Sequence, residues 1–177
     1  YIGLGGKGMR ALYLPGPSYL DESVKQYAGW HKILQFQLDA IRQICDEVDV
    51  PSVESEFVDR ASSFSQISSY SMRALSLVEK NSYDLVVGAP SYAHHCMLFF
   101  RGKSKLVSYV WNQADWYRDL MLKEEYNKFG RPYGTLPINN MMNEMMLRLS
   151  DKVIANCAFT KKTHAKIVAE EKISVAH

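Results

Sequence analysis

The chain has 177 residues, 47% of them apolar, enough to bury a sizeable core in one domain. Its 21 basic and 19 acidic side chains are interspersed and leave a net charge of +2, which argues against a nucleic-acid stripe or a polybasic membrane anchor. No apolar run reaches the roughly 18 residues of a membrane-spanning helix, and three well-separated cysteines, Cys45, Cys96 and Cys157, suit a reducing cytoplasm better than a disulfide framework.

The first eight residues, YIGLGGKG, place Gly3, Gly5 and Gly8 at G-x-G-x-x-G spacing. A phosphate-cradling loop of that pattern follows a strand and opens a helix. Here only two residues precede Gly3 and an extended apolar segment follows, so residues 1–8 read as a flexible leader or cloning remnant, with Met9 as the natural start. A basic region followed by an apolar stretch and a small-residue cleavage site is absent, so no signal peptide is expected.

Met9 to Leu14 reads as a buried strand ending at the turn residues PGPS. Trp30, Ile33, Leu34, Leu38, Ile41, Cys45 and Val48 mark one face of a helix, and Val50 to Val58 is a weak second strand. A second helical pattern runs from Phe64 to Val78 and ends at Asn81. The strand DLVVGAP, Asp84 to Pro90, precedes a short apolar helix capped by Ser91 and ended by Gly102. LVSYVWN, Leu106 to Asn112, is the next strand. A polar, aromatic helical region to about Lys128, a Gly- and Pro-rich loop, and a helix from Asn139 follow; that helix repeats Ile138, Met141, Met142, Met145, Met146 and Leu149 at i, i+3, i+4 spacing. The strand Lys152 to Ala155, a helix Ala158 to Glu170 capped by Asn156, and the strand Ile173 to Ala176 complete the series.

Short strands alternating with helices predict an α/β domain over residues 9–177, a Rossmann-like three-layer α/β/α fold with a mostly parallel sheet covered on both faces. Ligands of such sheets sit beyond the carboxyl ends of the strands. The first strand leads into Gly16, Ser18 and Tyr19, and the Asp84 strand into His94 and His95. The succession His94, His95, Cys96 cannot converge on one metal ion, because consecutive helical residues point about 100° apart. No metal site is expected. The Leu106 strand leads into Asn112, Asp115 and Trp116, where flat rings beside amide and carboxylate groups suit a polyhydroxylated ligand. The last corner offers Asn156, with Lys161 and Lys162 in the first turns of its helix, where they oppose the helix dipole unless an anion lies nearby.

The segment LRLSDKVIANCAFTKK, Leu147 to Lys162, resembles the retaining GT-B glycosyltransferases of family 4. There a helix ends in (Ala/Ser)-Asp, a strand of type x-V-I-A follows, and then Ser-x-Phe-x-Lys. YDLVVGAP and KISVAH resemble two further strands of that family. The resemblance implies half of a GT-B architecture, an N-terminal, acceptor-side domain of a hexosyltransferase-type enzyme that transfers a sugar, with retention, to a glycan, lipid or other acceptor. It further implies a second GT-B domain, in the same chain or as a separate subunit, that holds most of a nucleotide-sugar donor. No cofactor is expected on this half, which by itself should be inactive. The acceptor would be a saccharide or glycolipid, nucleic acid is not an expected partner, and the place would be the cytoplasm or the inner face of a membrane.

Two positions depart from the family pattern. Many members carry His where Trp111-Asn112 ends the fourth strand, and a Gly-Gly loop where this chain has Pro15-Gly16-Pro17-Ser18. Asn112 can hydrogen-bond a hydroxyl but cannot act as a base near neutral pH. The rival readings are one subunit of a split two-chain transferase, a non-catalytic flavodoxin-like binding module, and a sugar-nucleotide epimerase.

Overall fold

The computed structural model describes residues 8–15, 28–51, 63–88, 92–100, 102–110 and 136–176. They form a Rossmann-like α/β fold with a six-stranded parallel sheet in the order β2-β1-β3-β4-β5-β6. Its elements are β1 (Arg10–Leu14), α1 (Ala28–Arg42), β2 (Glu47–Asp49), α2 (Ser63–Lys80), β3 (Leu85–Gly88), α3 (Tyr92–Phe100), β4 (Lys105–Val110), α4 (Leu136–Leu149), β5 (Lys152–Ala155), α5 (Ala158–His164), a 3-10 turn (Glu170–Lys172) and β6 (Ile173–Val175). The chain divides into two compact units, Tyr1–Lys105 and Leu106–His177.

In the first unit β1 is the middle strand, parallel to β2 on one side and to β3 on the other. Ala11, Leu12, Tyr13 and Leu14 are all fully buried, so both faces of β1 are covered. That is why its sequence is a continuous apolar run rather than an alternation. The Tyr13 hydroxyl is satisfied in this interior by its one proton, shared between the Leu34 carbonyl (3.1 Å) and Oε1 of Gln37 (2.8 Å), both on α1. α1 ends earlier than its apolar spacing predicts: Val48 belongs to β2, which precedes the expected strand at 50–58. The turn at Gln43–Ile44 breaks the helix while Cys45 still tucks inward, so the helical period runs on by coincidence into a strand. Residues 52–58 lie outside the described residues.

Each of three aspartates stands just before a strand and accepts a backbone N–H at or within one residue of the start of the strand beside it. Asp46 accepts from Met9 (2.7 Å) and Asp84 from Arg10 (2.9 Å). In the second unit Asp151 accepts from Leu106 (2.8 Å). These donors lie at strand beginnings, where the ladder has not yet supplied a partner, and a carboxylate makes the stronger, charge-assisted bond. Gly8 belongs to the same arrangement. A Cβ there would come within 2.7 Å of Cγ of Asp46, so any larger residue would have to displace the carboxylate that holds the Met9 N–H.

Arg10, Glu47, Asp49 and Tyr83 form a cluster on β1, β2 and the segment before β3. Arg10 reaches Oδ2 of Asp49 at 2.7 Å and Glu47 at 3.2 Å, and its guanidinium lies 5.4 Å from the centre of the Tyr83 ring. The Tyr83 hydroxyl donates to the same Asp49 oxygen (2.7 Å) and accepts from Asn81 (3.3 Å). Burial, and then the bond to Asp49, push Tyr83 up to about 12 from its ordinary 10. Because the folded value lies above the unfolded one, the stabilisation is complete below pH 10 and is lost as pH rises from 10 towards 12. Urea titrations across that window should show stability falling for the natural chain, and Tyr83→Phe should flatten the fall.

In the second unit β5 lies between β4 and β6, parallel to both. Val110, Leu147, Val153, Ala155, Val168 and Ile173 form its core, with Ile167 against it. β4 and β5 alternate buried with half-buried residues, unlike β1. α4 begins at Leu136 and buries Met146 and Leu147, whereas Met141 and Leu149, assigned to its inner face by spacing, are exposed. The inward stripe is therefore rotated towards Leu147, a position that the run of methionines masks in the sequence.

Candidate functional site

β1 is followed in the chain by β2 on one side and in the sheet by β3 on the other, which makes the β1/β3 boundary the point where strand order reverses. In doubly wound sheets the crevice beyond the carboxyl ends at such a point is the usual ligand position. Leu14 and Gly88 are paired at those ends, and both are buried. Gly16, Ser18 and Tyr19 follow β1 directly but lie outside the described residues. His94 and His95 are in α3, which follows β3; their side chains also lie outside the described residues.

The second unit joins the carboxyl ends of β4 and β5. Val110 pairs with Ala155, and the Asn156 N–H donates to the Val110 carbonyl at 3.2 Å. Asn112, Asp115 and Trp116 continue from β4 outside the described residues. What is described is the corner after β5, and it differs from expectation in two ways.

Cys157, not Asn156, is the N-cap of α5: its backbone is extended (φ −160°, ψ 167°), and the helix begins at Ala158. Asn156 is exposed and completes the β4–β5 ladder instead. Helix α5 is also only seven residues long, ending at His164 rather than Glu170. His164 is buried and donates from Nδ1 to the Thr160 carbonyl (2.9 Å), since a carbonyl can only accept. The backbone then turns so that Val168 enters the core. In a helix this short, Lys161 and Lys162 occupy the last turn, where a cation favours the dipole. Lys161 further pairs with Glu170 at 3.4 Å. The two lysines need no bound anion to explain them.

The corner rests on Thr160 and His164 and turns Asn156, Cys157 and Phe159 outward. Phe159 is 56% exposed. Sequence reasoning passed over Cys157 and Thr160, whose i, i+3 spacing was the available signal. Cys157 Sγ lies 3.3 Å from Oγ1 of Thr160. This hydroxyl, together with the Thr160 and Phe159 backbone groups, lowers the exposed Cys157 thiol, whereas burial raises Cys45 and Cys96. Iodoacetamide at neutral pH should therefore alkylate Cys157 first, and Thr160→Val should slow that reaction; peptide mapping by mass spectrometry reads both.

The specific part of the resemblance divides by role. Ser150 is fully buried, and its hydroxyl bonds the Met146 carbonyl (2.8 Å) and the Ser108 hydroxyl (2.7 Å). Asp151 holds the start of β4. These residues secure the helix-to-strand passage, and Asn156, Cys157 and Phe159 are the exposed side chains of the corner that follows. Among the described residues, no group of three or more His, Cys, Asp or Glu could hold a metal ion, and no helix is long and apolar enough to cross a membrane. No family model and no curated protein matches the chain.

Proposed function

We propose that the chain is the acceptor-side half of a retaining GT-B glycosyltransferase, working with a second domain that holds a nucleotide-sugar donor. One observation carries this reading. The segment resembling family 4, Leu147 to Lys162, forms a helix end, a strand secured at its start, and a corner that leaves Asn156 and Phe159 exposed beyond the strand's carboxyl end. A rigid strand carrying an open aromatic and amide surface suits the binding of a sugar acceptor. Gly16, Ser18, Tyr19, His94, His95, Asn112, Asp115 and Trp116 are the further acceptor-site candidates on this reading.

The test uses the native polypeptide, whose intact mass is measured first to learn whether a donor half is continuous with it or co-purifies. Supplied with uridine, guanosine and adenosine diphosphate sugars, it should transfer one of them with the anomeric configuration retained, as proton NMR of the product shows. Phe159→Ala should lower kcat/KM about tenfold. Transfer by the 177-residue chain alone, or an inverted product, would count against the proposal.

A second reading draws on the strand order. Among the described residues the order β2-β1-β3-β4-β5 is that of flavodoxin-like sheets, several of which bind a nucleotide at the β1/β3 reversal without a second domain. Calorimetry on the 177-residue chain separates the two: tight nucleotide or sugar binding in isolation favours a stand-alone binding module.

A further inference from the structure

We propose that α1 is an interface between two copies of this chain, the two helices packing antiparallel across a two-fold axis beside Phe36. It rests on the surface of the first unit and not on the transferase reading. α1 carries two apolar stripes. Leu34, Leu38 and Ile41 form the inner one and are buried. The outer one, about a third of a turn round the helix, is Ile33, Phe36 and Ala40, continued past the helix end by Ile44. Ile33 is 40% exposed, Phe36 71% and Ile44 61%, and Ala40 is exposed as well. The apolar period places Ile33 on the inner stripe because it neighbours Leu34, whereas its side chain belongs to the outer one. Phe99 and Phe100 at the end of α3 are exposed too, but they project about 100° apart and form no stripe. Ile33, Phe36 and Ala40 recur at steps of three and four, the spacing of a seam between two helices.

The charges beside the seam select its occupant. Lys32 and Asp39 are exposed and seven residues apart, so both lie on the same flank of the stripe. Among the described residues Lys32 has no partner. Oδ1 of Asp39 accepts from Gln35 (2.9 Å) and lies 3.9 Å from Arg42, which leaves Oδ2 open. A two-fold axis that reverses the helix direction brings the same flank of each copy together. With the axis level with residues 35 and 36, Lys32 of each copy stands opposite Asp39 of the other. The same register sets the two Phe36 rings against each other at the axis. It also places Ile33 of each copy at the level between Phe36 and Ala40 of the other, where alanine leaves room. One register therefore satisfies the charges and the apolar seam together. A parallel pair would set this flank against the side of Gln37 and leave both charges unmatched. Because α1 joins the parallel strands β1 and β2 it runs opposite to them, so the stripe descends the side of the unit and does not cross the carboxyl ends of β1 and β3. Four side chains cover less than the roughly 800 Å² per partner of a standard stable interface, so the dimer should be weak, with a dissociation constant of about 10–100 µM.

Sedimentation equilibrium of the 177-residue chain tests this, from about 5 to 500 µM in low salt, where exposed charges are least screened. The natural chain should pass from monomer to dimer across that range. Phe36→Ala should raise the dissociation constant at least about tenfold, since two rings leave the centre of the seam. Lys32→Asp and Asp39→Lys should each weaken the dimer about threefold or more. An equimolar mixture of these two variants should associate at least as tightly as the natural chain, because each copy then meets opposite charges across the axis. All three side chains are exposed, so circular dichroism should show the variants folded. A natural chain that stays monomeric throughout overturns the proposal and leaves the stripe to a partner of another kind. Association undiminished by Phe36→Ala overturns it as well, and so does a mixture that associates no better than either charge variant alone.

Discussion

Leu12→Ala lowers the unfolding free energy by about 2–5 kcal/mol, against the roughly 5–15 kcal/mol that holds a typical domain together. Leu12 is fully buried at the middle of β1, opposite Asp49 of β2 and Val86 of β3. A strand paired on both sides and covered on both faces cannot move inward to fill the space, so a cavity penalty adds to the lost transfer energy. Urea denaturation should show a lower midpoint with an unchanged slope, because the surface exposed on unfolding barely alters. Phe36→Ala, on the outer side of α1 at 71% exposure, provides the contrast and should change stability by no more than about 0.5 kcal/mol.

Val153→Asp is expected to be at least as damaging, by about 3–5 kcal/mol near neutral pH, because it places an unpaired carboxylate in a closed apolar core. Val153 is fully buried among Val110, Leu147, Ala155, Val168 and Ile173. The damage should depend on pH in a defined sense. Burial would raise the folded-state value of the new carboxyl above its unfolded value of about 3.9, so the variant recovers stability as pH falls and loses more as pH rises through the raised value. Val153→Thr keeps the shape and adds only a hydroxyl, at about 1–3 kcal/mol. If the aspartate variant were as stable at pH 7 as the threonine variant, the corner after β5 could not rest on the rigid support assigned to it.

The strands were the readily legible part of this chain. MRALYL and DKVIA are short apolar runs bounded by turn residues or charges, and each forms its strand to within about a residue, inside the usual uncertainty of element ends, while of the run expected from Asp84 to Pro90 the described strand covers Leu85–Gly88. Helix ends were less legible. Cys45 and Val48 continue the period of α1 although a turn and a strand hold them, and Lys166 to Glu170 continue the composition of α5 although the helix has stopped at His164. Period and composition are local, whereas each of these endings is set by a contact elsewhere: the inward turn of Cys45, and the passage of Val168 into the core of the second unit.

The site followed the same division. That ligands should gather beyond the carboxyl ends of the strands follows from alternating strands and helices alone. That Cys157 stands at the N-cap position of α5, that Lys161 answers to Glu170, and that Ser150 and Asp151 serve the scaffold required the folded geometry. A serine, an aspartate or a lysine offers the same hydrogen-bonding groups to a substrate as to a neighbouring strand, and only its distance from each decides between them. The end of α3 makes the point most sharply. By itself the sequence determined an α/β chain of short parallel strands, because apolar period and turn residues are properties of neighbouring positions. Only the tertiary structure decided which apolar residues, among them Phe99 and Phe100, remain outside, because burial depends on what packs against a residue and not on the residue itself.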